Sequence, residues 1–148
     1  MTTVRKLLEA KGKAGNYSVS VDDTVHKALK VMTDANIGAV LVTDGKKIVG
    51  IYTERDYLHK GELEGRSANS TLVKDVMTGS MYTVAMDTSM EQCMALMDAH
   101  HIRHLPVVEK DQLVGLVSIR DVMVAALENK ESEIKGLENY IMGSGFAR

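Results

Sequence analysis

Two stretches of the chain are able to hold a ligand by the same chemistry. Gly50-Ile51-Tyr52-Thr53-Glu54-Arg55-Asp56 and Gly115-Leu116-Val117-Ser118-Ile119-Arg120-Asp121 share one pattern: a glycine, two apolar residues, a hydroxyl, two further residues, an aspartate. A hydroxyl residue closing an apolar β-run caps the first turn of a helix and leaves free N–H groups and a positive dipole end beside the acid. A carboxylate accepts from both hydroxyls of a vicinal diol, while the capping hydroxyl and the helix start face phosphate. The chemistry would therefore be that of holding a ribose or a phosphate. The same spacing is also the ordinary capping box, a purely structural device. A cap, however, requires neither the upstream glycine nor the arginine before the acid, and both recur. Arg55 and Arg120 read either as solvated helix-surface charges or as phosphate contacts, for which a guanidinium is well shaped.

A second concentration of chemistry is His100-His101-Ile102-Arg103-His104. His100 and His104 have the i, i+4 spacing of a metal pair, but Pro106 and the apolar run after it end the helix by His101, and no third ligand is fixed by spacing. The expectation is that no metal is required. Cys93 falls in the series Met90, Cys93, Met94, Met97 and reads as a core residue on a helix; alone, it excludes an intrachain disulfide and an all-cysteine metal site. Met77, Met81, Met86, Met90, Met94 and Met97 read as adaptable core filler. The chain has no Gly-x-Ser-x-Gly elbow, no phosphate-binding Gly-x-x-x-x-Gly-Lys loop and no Gly-x-Gly-x-x-Gly, so no catalytic residue is assigned and the residues argue against an enzyme.

These side chains need elements to position them. Val4, Leu7 and Leu8 are spaced as a short amphipathic helix, which Lys11 to Asn16 then breaks. Tyr17 to Val21 alternates as a strand. Asp22 to Thr24 offer N-caps, and Val25, Ala28, Leu29, Met32 and Ala35 mark one buried helix face. Asn36 to Gly38 stop that helix. Ala39 to Val42 form a continuous apolar run of the kind buried on both faces. Asp44-Gly45-Lys46 turns the chain back into an antiparallel strand from Lys47 to Tyr52, and Thr53 opens a helix to about Lys60. The half reads β-α-β-β-α.

After a connector at residues 61–72 the same text begins again. Ten of the forty positions from Tyr17 to Asp56 are identical at an offset of sixty-five with no gap, among them Tyr17 and Tyr82, Ile37 and Ile102, and Gly50 and Gly115. Val4-Arg5-Lys6-Leu7-Leu8 is echoed by Val73-Lys74-Asp75-Val76-Met77 after a four-residue shift. Two copies of one supersecondary unit imply a pseudo-twofold pair packed sheet to sheet, since neither half buries its apolar face alone. The division expected is residues 4–60, 73–128, and a C-terminal helix and tail at 129–148. Val122 to Met142 reads as a long amphipathic helix that returns onto the body or onto a dimer mate, with Gly143-Ser144-Gly145 as a loose end.

Composition sets the outer limits. The chain has 148 residues, 45% hydrophobic, with a net charge of −2, one Phe and no Trp. This length buries a core without disulfide staples, and the charge argues against a nucleic-acid binder. No apolar run approaches a membrane span and Met1 to Ala10 does not read as a signal peptide, so the expectation is a cytoplasmic protein with no membrane partner.

The paired β-α-β-β-α units, the leader Val73-Lys74-Asp75-Val76-Met77-Thr78, the strand His104-Leu105-Pro106-Val107-Val108 and the two Gly-x-x-Thr/Ser-x-x-Asp endings together resemble the tandem CBS domain, or Bateman module, from about Val4 to Val124. The resemblance implies an α+β pair of repeats, of α/β character, whose cleft binds an adenosine compound such as AMP, ADP, ATP, NAD or S-adenosylmethionine as a regulatory element, commonly as a homodimer acting on a regulated protein not identified by the sequence. Asp56 and Asp121 match the family's ribose-binding acid; Thr53 and Ser118 match the hydroxyl that meets ribose or phosphate. Arg55, Arg120, Arg103 and His104 are candidate phosphate or base contacts, and Ile37, Ile102, Tyr17 and Tyr82 complete the candidate ligand-binding set. Arg103 and His104 would give the second half a cationic contribution that Gly38 and Ala39 lack, so one site should bind more tightly or take the more charged end of the ligand. The alternative is a structural dimerisation module with degenerate pockets.

Overall fold

In the computed structural model, which describes residues 1–11 and 17–141, the first half comprises α1 (Val4–Lys11), β1 (Ser18–Ser20), α2 (Val25–Ala35), β2 (Ala39–Asp44), β3 (Lys47–Thr53) and a short α3 (Glu54–Asp56). The second comprises α4 (Met90–His100), β4 (His104–Glu109), β5 (Gln112–Ser118) and α5 (Ile119–Ile141). Thr24 caps α2 and Ser89 caps α4, the latter in a full capping box with Gln92. Asn36 and His101, related by the same offset of sixty-five, end the two helices in the left-handed conformation at φ 55 and φ 53. The breaker expected at residues 12–16 and the loose end at 143–145 lie outside the described residues.

β1 pairs in parallel with β2, and β2 antiparallel with β3. In the second half β4 pairs with β5, but the strand expected at Tyr82 is reduced to one isolated bridge, Val84 to Val107. One of the missing ladder bonds has a plain cause. Leu41 N–H donates to the Tyr17 carbonyl at 3.0 Å. The position equivalent to Leu41 is Pro106, which has no N–H to donate to Tyr82.

Each half has its own core, and the chain crosses between them. The 3₁₀ turn Val73–Asp75 places Val73 and Val76 in the core of the first half with Val25, Met32, Val40 and Tyr52. Helix α1 places Val4 and Leu7 in the core of the second, with Cys93, Met97, Leu105 and Val117. The tethers mirror one another: Val4 N–H donates to the Thr88 carbonyl at 2.8 Å as Val73 N–H does to that of Asp23 at 2.9 Å, and Arg5 reaches Met86 as Lys74 reaches Val21. Packing therefore does not follow chain order; each leader serves the opposite repeat. This explains the repeated glycine. A Cβ at Gly50 would come within 2.8 Å of Met77 Sδ and the Thr78 carbonyl oxygen, and one at Gly115 within 2.8 Å of the Leu8 methyls.

Ala39, Ile51 and Leu116, with Met81 against them, form a small apolar layer joining the two sheets. Two elements depart from expectation. The helix opened by Thr53 does not continue as an α-helix to Lys60, but widens into a π segment, Tyr57–Gly61, and then a 3₁₀ turn, Glu62–Glu64. The body does not cover the far part of helix α5: Ala125 and Ala126 pack on the second core and Asn129 donates to Thr2 Oγ1 at 3.0 Å, but every residue from Leu127 to Tyr140 is exposed.

Candidate ligand-binding site

The seven-residue pattern ends in both repeats at a strand-to-helix corner, and both corners form a reciprocal cap. Thr53 Oγ1 accepts from Asp56 N–H at 3.1 Å and Asp56 Oδ2 accepts from Thr53 N–H at 3.1 Å. In the second repeat Ser118 Oγ accepts from Asp121 N–H at 3.2 Å, and Asp121 Oδ2 from Ser118 N–H at 2.8 Å. The next amides are taken as well, Glu54 N–H by the Gly38 carbonyl at 3.1 Å and Ile119 N–H by that of Arg103 at 2.8 Å. The expectation of free N–H groups at these corners is corrected accordingly: three of the first four amides already have acceptors, two in the reciprocal cap and one in the strand-entry loop of the same repeat. Each hydroxyl still has its own hydrogen to donate, since an oxygen that accepts is not thereby used as a donor.

Neither acid faces bulk water. Asp56 is 8% exposed, and Asp121 is half-buried. Asp56 Oδ1 accepts from Thr78 Oγ1 at 3.0 Å and lies 3.3 Å from Lys60 Nζ. Asp121 Oδ2 lies 3.0 Å from Lys11 Nζ, which also donates to the Leu116 carbonyl at 2.9 Å. Thr78, Lys60 and Lys11 were not candidates from sequence. Lys60, at i+4 from Asp56, had a readable signal; Lys11, 110 residues before its partner, had none.

The seam joins the corner of one repeat to that of the other. His104 Cε1 and the Glu54 carboxylate both approach Gly38, at 3.5 and 3.6 Å from where its Cβ would stand. Arg55 Nη1 donates to the His101 carbonyl at 3.0 Å, placing a cation on the C-terminal end of α4, where the helix dipole favours it. That is neither of the roles expected for Arg55. Arg103 and Arg120 are exposed, and Ile37 and Ile102 are half-buried against their own cores. Tyr17 and Tyr82 are exposed, Tyr82 stacking on His100 with ring centroids 3.7 Å apart.

His104 corrects a further expectation. Burial pushes its pKa down to about 4, and the charges of Lys11 and Arg103 push the same way against the opposing pull of Asp121. The imidazole is neutral at physiological pH, so the cationic character of this corner comes from Arg103 and Lys11. Tyr52, beneath the first corner, has a fully buried hydroxyl with no partner among the described residues, and burial beside Asp56 raises its pKa to about 12. An open groove of about 410 Å³ lies away from these acids, between Thr83–Thr88 and α4, where Val84, Gln92 and Leu96 line it. No group of three or more His, Cys, Asp or Glu side chains that could hold a metal occurs among the described residues.

The CBS-domain family model matches residues 15–62 and 73–128. The chain belongs to the CBS-domain family. Its two CBS repeats are the two halves described above, and the match to the second includes the leader that packs on the first. Among curated relatives, the mitochondrial CBS domain-containing protein CBSX3 of Arabidopsis thaliana is 39% identical over 150 residues, covering 96% of this chain and 73% of the relative. A protein with CBS domains from Burkholderia ambifaria has a similar solved structure, at TM-score 0.83 and 43% identity over 86% of this chain and 95% of that one. A CBS domain protein of Pyrobaculum aerophilum, solved in complex with AMP, matches at TM-score 0.71 and 25% identity, covering 80% and 88%. Hypoxic Response Protein I, solved with two coordinated zinc ions, matches at TM-score 0.68 and 28% identity, covering 84% and 99%. No helix among the described residues is long and apolar enough to cross a membrane.

Proposed function

We propose that this CBS pair is a regulatory module that binds an adenosine nucleotide of the AMP, ADP, ATP or NAD class between its repeats, works as a homodimer and passes the bound state to another protein. The observation that supports it most is the pair of motif acids: both are held inward at related corners that meet along one seam, each with a hydroxyl three residues before it that still has a hydrogen to donate. A ribose diol donates to the acid and that hydroxyl donates to an oxygen of the same ligand. The AMP complex of the Pyrobaculum relative supports an adenosine-type ligand. The link from Arg55 to the His101 carbonyl spans the seam and is the contact a ligand wedged there would shift. No catalytic step is assigned to the module.

A second reading, a structural dimerisation module with degenerate pockets, is favoured by one feature: caps and lysines already occupy much of both carboxylates. Thermal shift separates the two. Saturating AMP, ATP, NAD or S-adenosylmethionine should raise Tm for at least one ligand, through a mass-action stabilisation of about 2.7 kcal/mol at a hundredfold excess over Kd, and Asp121→Ala should abolish that response while the variant still melts cooperatively. A flat response to all four would favour the structural reading.

A further inference from the structure

The two motif acids are not equally open, and the difference comes from the crossed leaders. The leader of the second repeat gives Asp56 a neutral partner, the Thr78 hydroxyl, at 3.0 Å. The leader of the first gives Asp121 a cation, Lys11 Nζ, at 3.0 Å. At Asp56 both oxygens are engaged, Oδ2 by Thr53 N–H and Oδ1 by Thr78 and Lys60. At Asp121 both bonds fall on Oδ2, and Oδ1 accepts from no described residue. The Asp121 side chain is also the more accessible, at 18% against 10%.

Lys11 itself has capacity left. An ammonium has three donors, and the Asp121 carboxylate and the Leu116 carbonyl take two. Its side chain is only 19% exposed, and the same charge acts on the half-buried His104, as do Asp121 and Arg103, so the four groups form one cluster. In such partly desolvated surroundings a third hydrogen bond from a cation to an anion is strong.

We propose that the second repeat's acid is the one that takes the ribose, through Oδ1, and that Lys11, supplied by α1, is the specificity residue that makes this site prefer a phosphorylated adenosine compound to the uncharged nucleoside. This rests on the adenosine reading above and deepens it. The site is complete only when α1 is docked, so binding of the anionic ligand strengthens the attachment of α1 to the second repeat.

Isothermal titration calorimetry of the full chain with AMP and with adenosine tests this. Wild type should bind AMP at least about tenfold tighter, the worth of one hydrogen bond to a charged group. Lys11→Met should remove that preference by weakening AMP and leaving adenosine within about threefold of wild type; Lys11→Arg should retain it, which separates charge from folding; Lys60→Met should leave it intact. An unchanged ratio in Lys11→Met, an equal loss for both ligands, or the same selective loss in Lys60→Met would each overturn the assignment. If wild type binds neither compound, the adenosine reading itself fails, an outcome distinct from binding without selectivity.

Discussion

At the scale of single residues, the repeated motif serves two purposes. Its hydroxyl and acid close the first turn of a helix, and its glycine seats the leader that serves the same repeat from elsewhere in the chain. The two glycines differ in what they face. A Cβ at Gly50 meets backbone, the Thr78 carbonyl oxygen, whereas one at Gly115 meets only the flexible end of Leu8. Overpacking of this kind costs about 1–3 kcal/mol, and backbone gives less than a side chain. Gly50→Ala should therefore destabilise by about 2–3 kcal/mol and Gly115→Ala by about 1 kcal/mol, measured by urea denaturation. Equal losses would mean that the leader of the second repeat is built against Gly50 in some other way. His104 shows what residue type alone conceals: it looks like a cation in the sequence, and burial makes it neutral.

At the scale of elements, most of the fold was legible because periodicity and punctuation agreed. Helix α2 was expected from Val25 to Ala35 and runs over those residues, because Thr24 caps it and Asn36 closes it in the left-handed conformation. The hairpins followed from apolar runs broken at Asp44-Gly45-Lys46 and at its counterpart. What could not be read was long-range. The crossing of the leaders rests on contacts between distant segments that no local pattern encodes, so Lys11 and Thr78 stayed outside the candidate site. One bond lost from the second repeat's first strand follows from Pro106, which was visible, but its effect depends on which N–H the parallel pairing uses. Helix α5 was expected to return to the body or meet a mate; Asn129 still donates to Thr2 Oγ1 at 3.0 Å, but Leu127, Ile134 and Leu137 are between 55% and 64% exposed, so the body leaves this apolar face uncovered. These residues lie on one stripe, at i, i+7 and i+10, which fits the proposed homodimer. Ile134→Asp with Leu137→Asp should convert a dimer to a monomer in light scattering after size exclusion, with little change in the melting of each chain. A dimer that survives the double change would place the contact elsewhere.

At the scale of the whole molecule, the chain is one fold written twice with its leaders exchanged, and the exchange makes each half depend on the other. Neither core is complete without a segment from the far side of the seam, so the repeats should stand or fall together rather than as beads on a string. Exchange also makes the symmetry imperfect where it matters: the exchanged leaders bring a hydroxyl to Asp56, whose ammonium partner Lys60 comes from its own repeat, and an ammonium to Asp121. The most direct measurement is a crystal structure of the chain soaked in AMP. The result expected is one nucleotide in the seam, its ribose hydroxyls on Asp121 Oδ1 and its phosphate within hydrogen-bond reach of Lys11 Nζ. AMP bound in the groove beside α4, or on Asp56 with Asp121 untouched, would contradict the account.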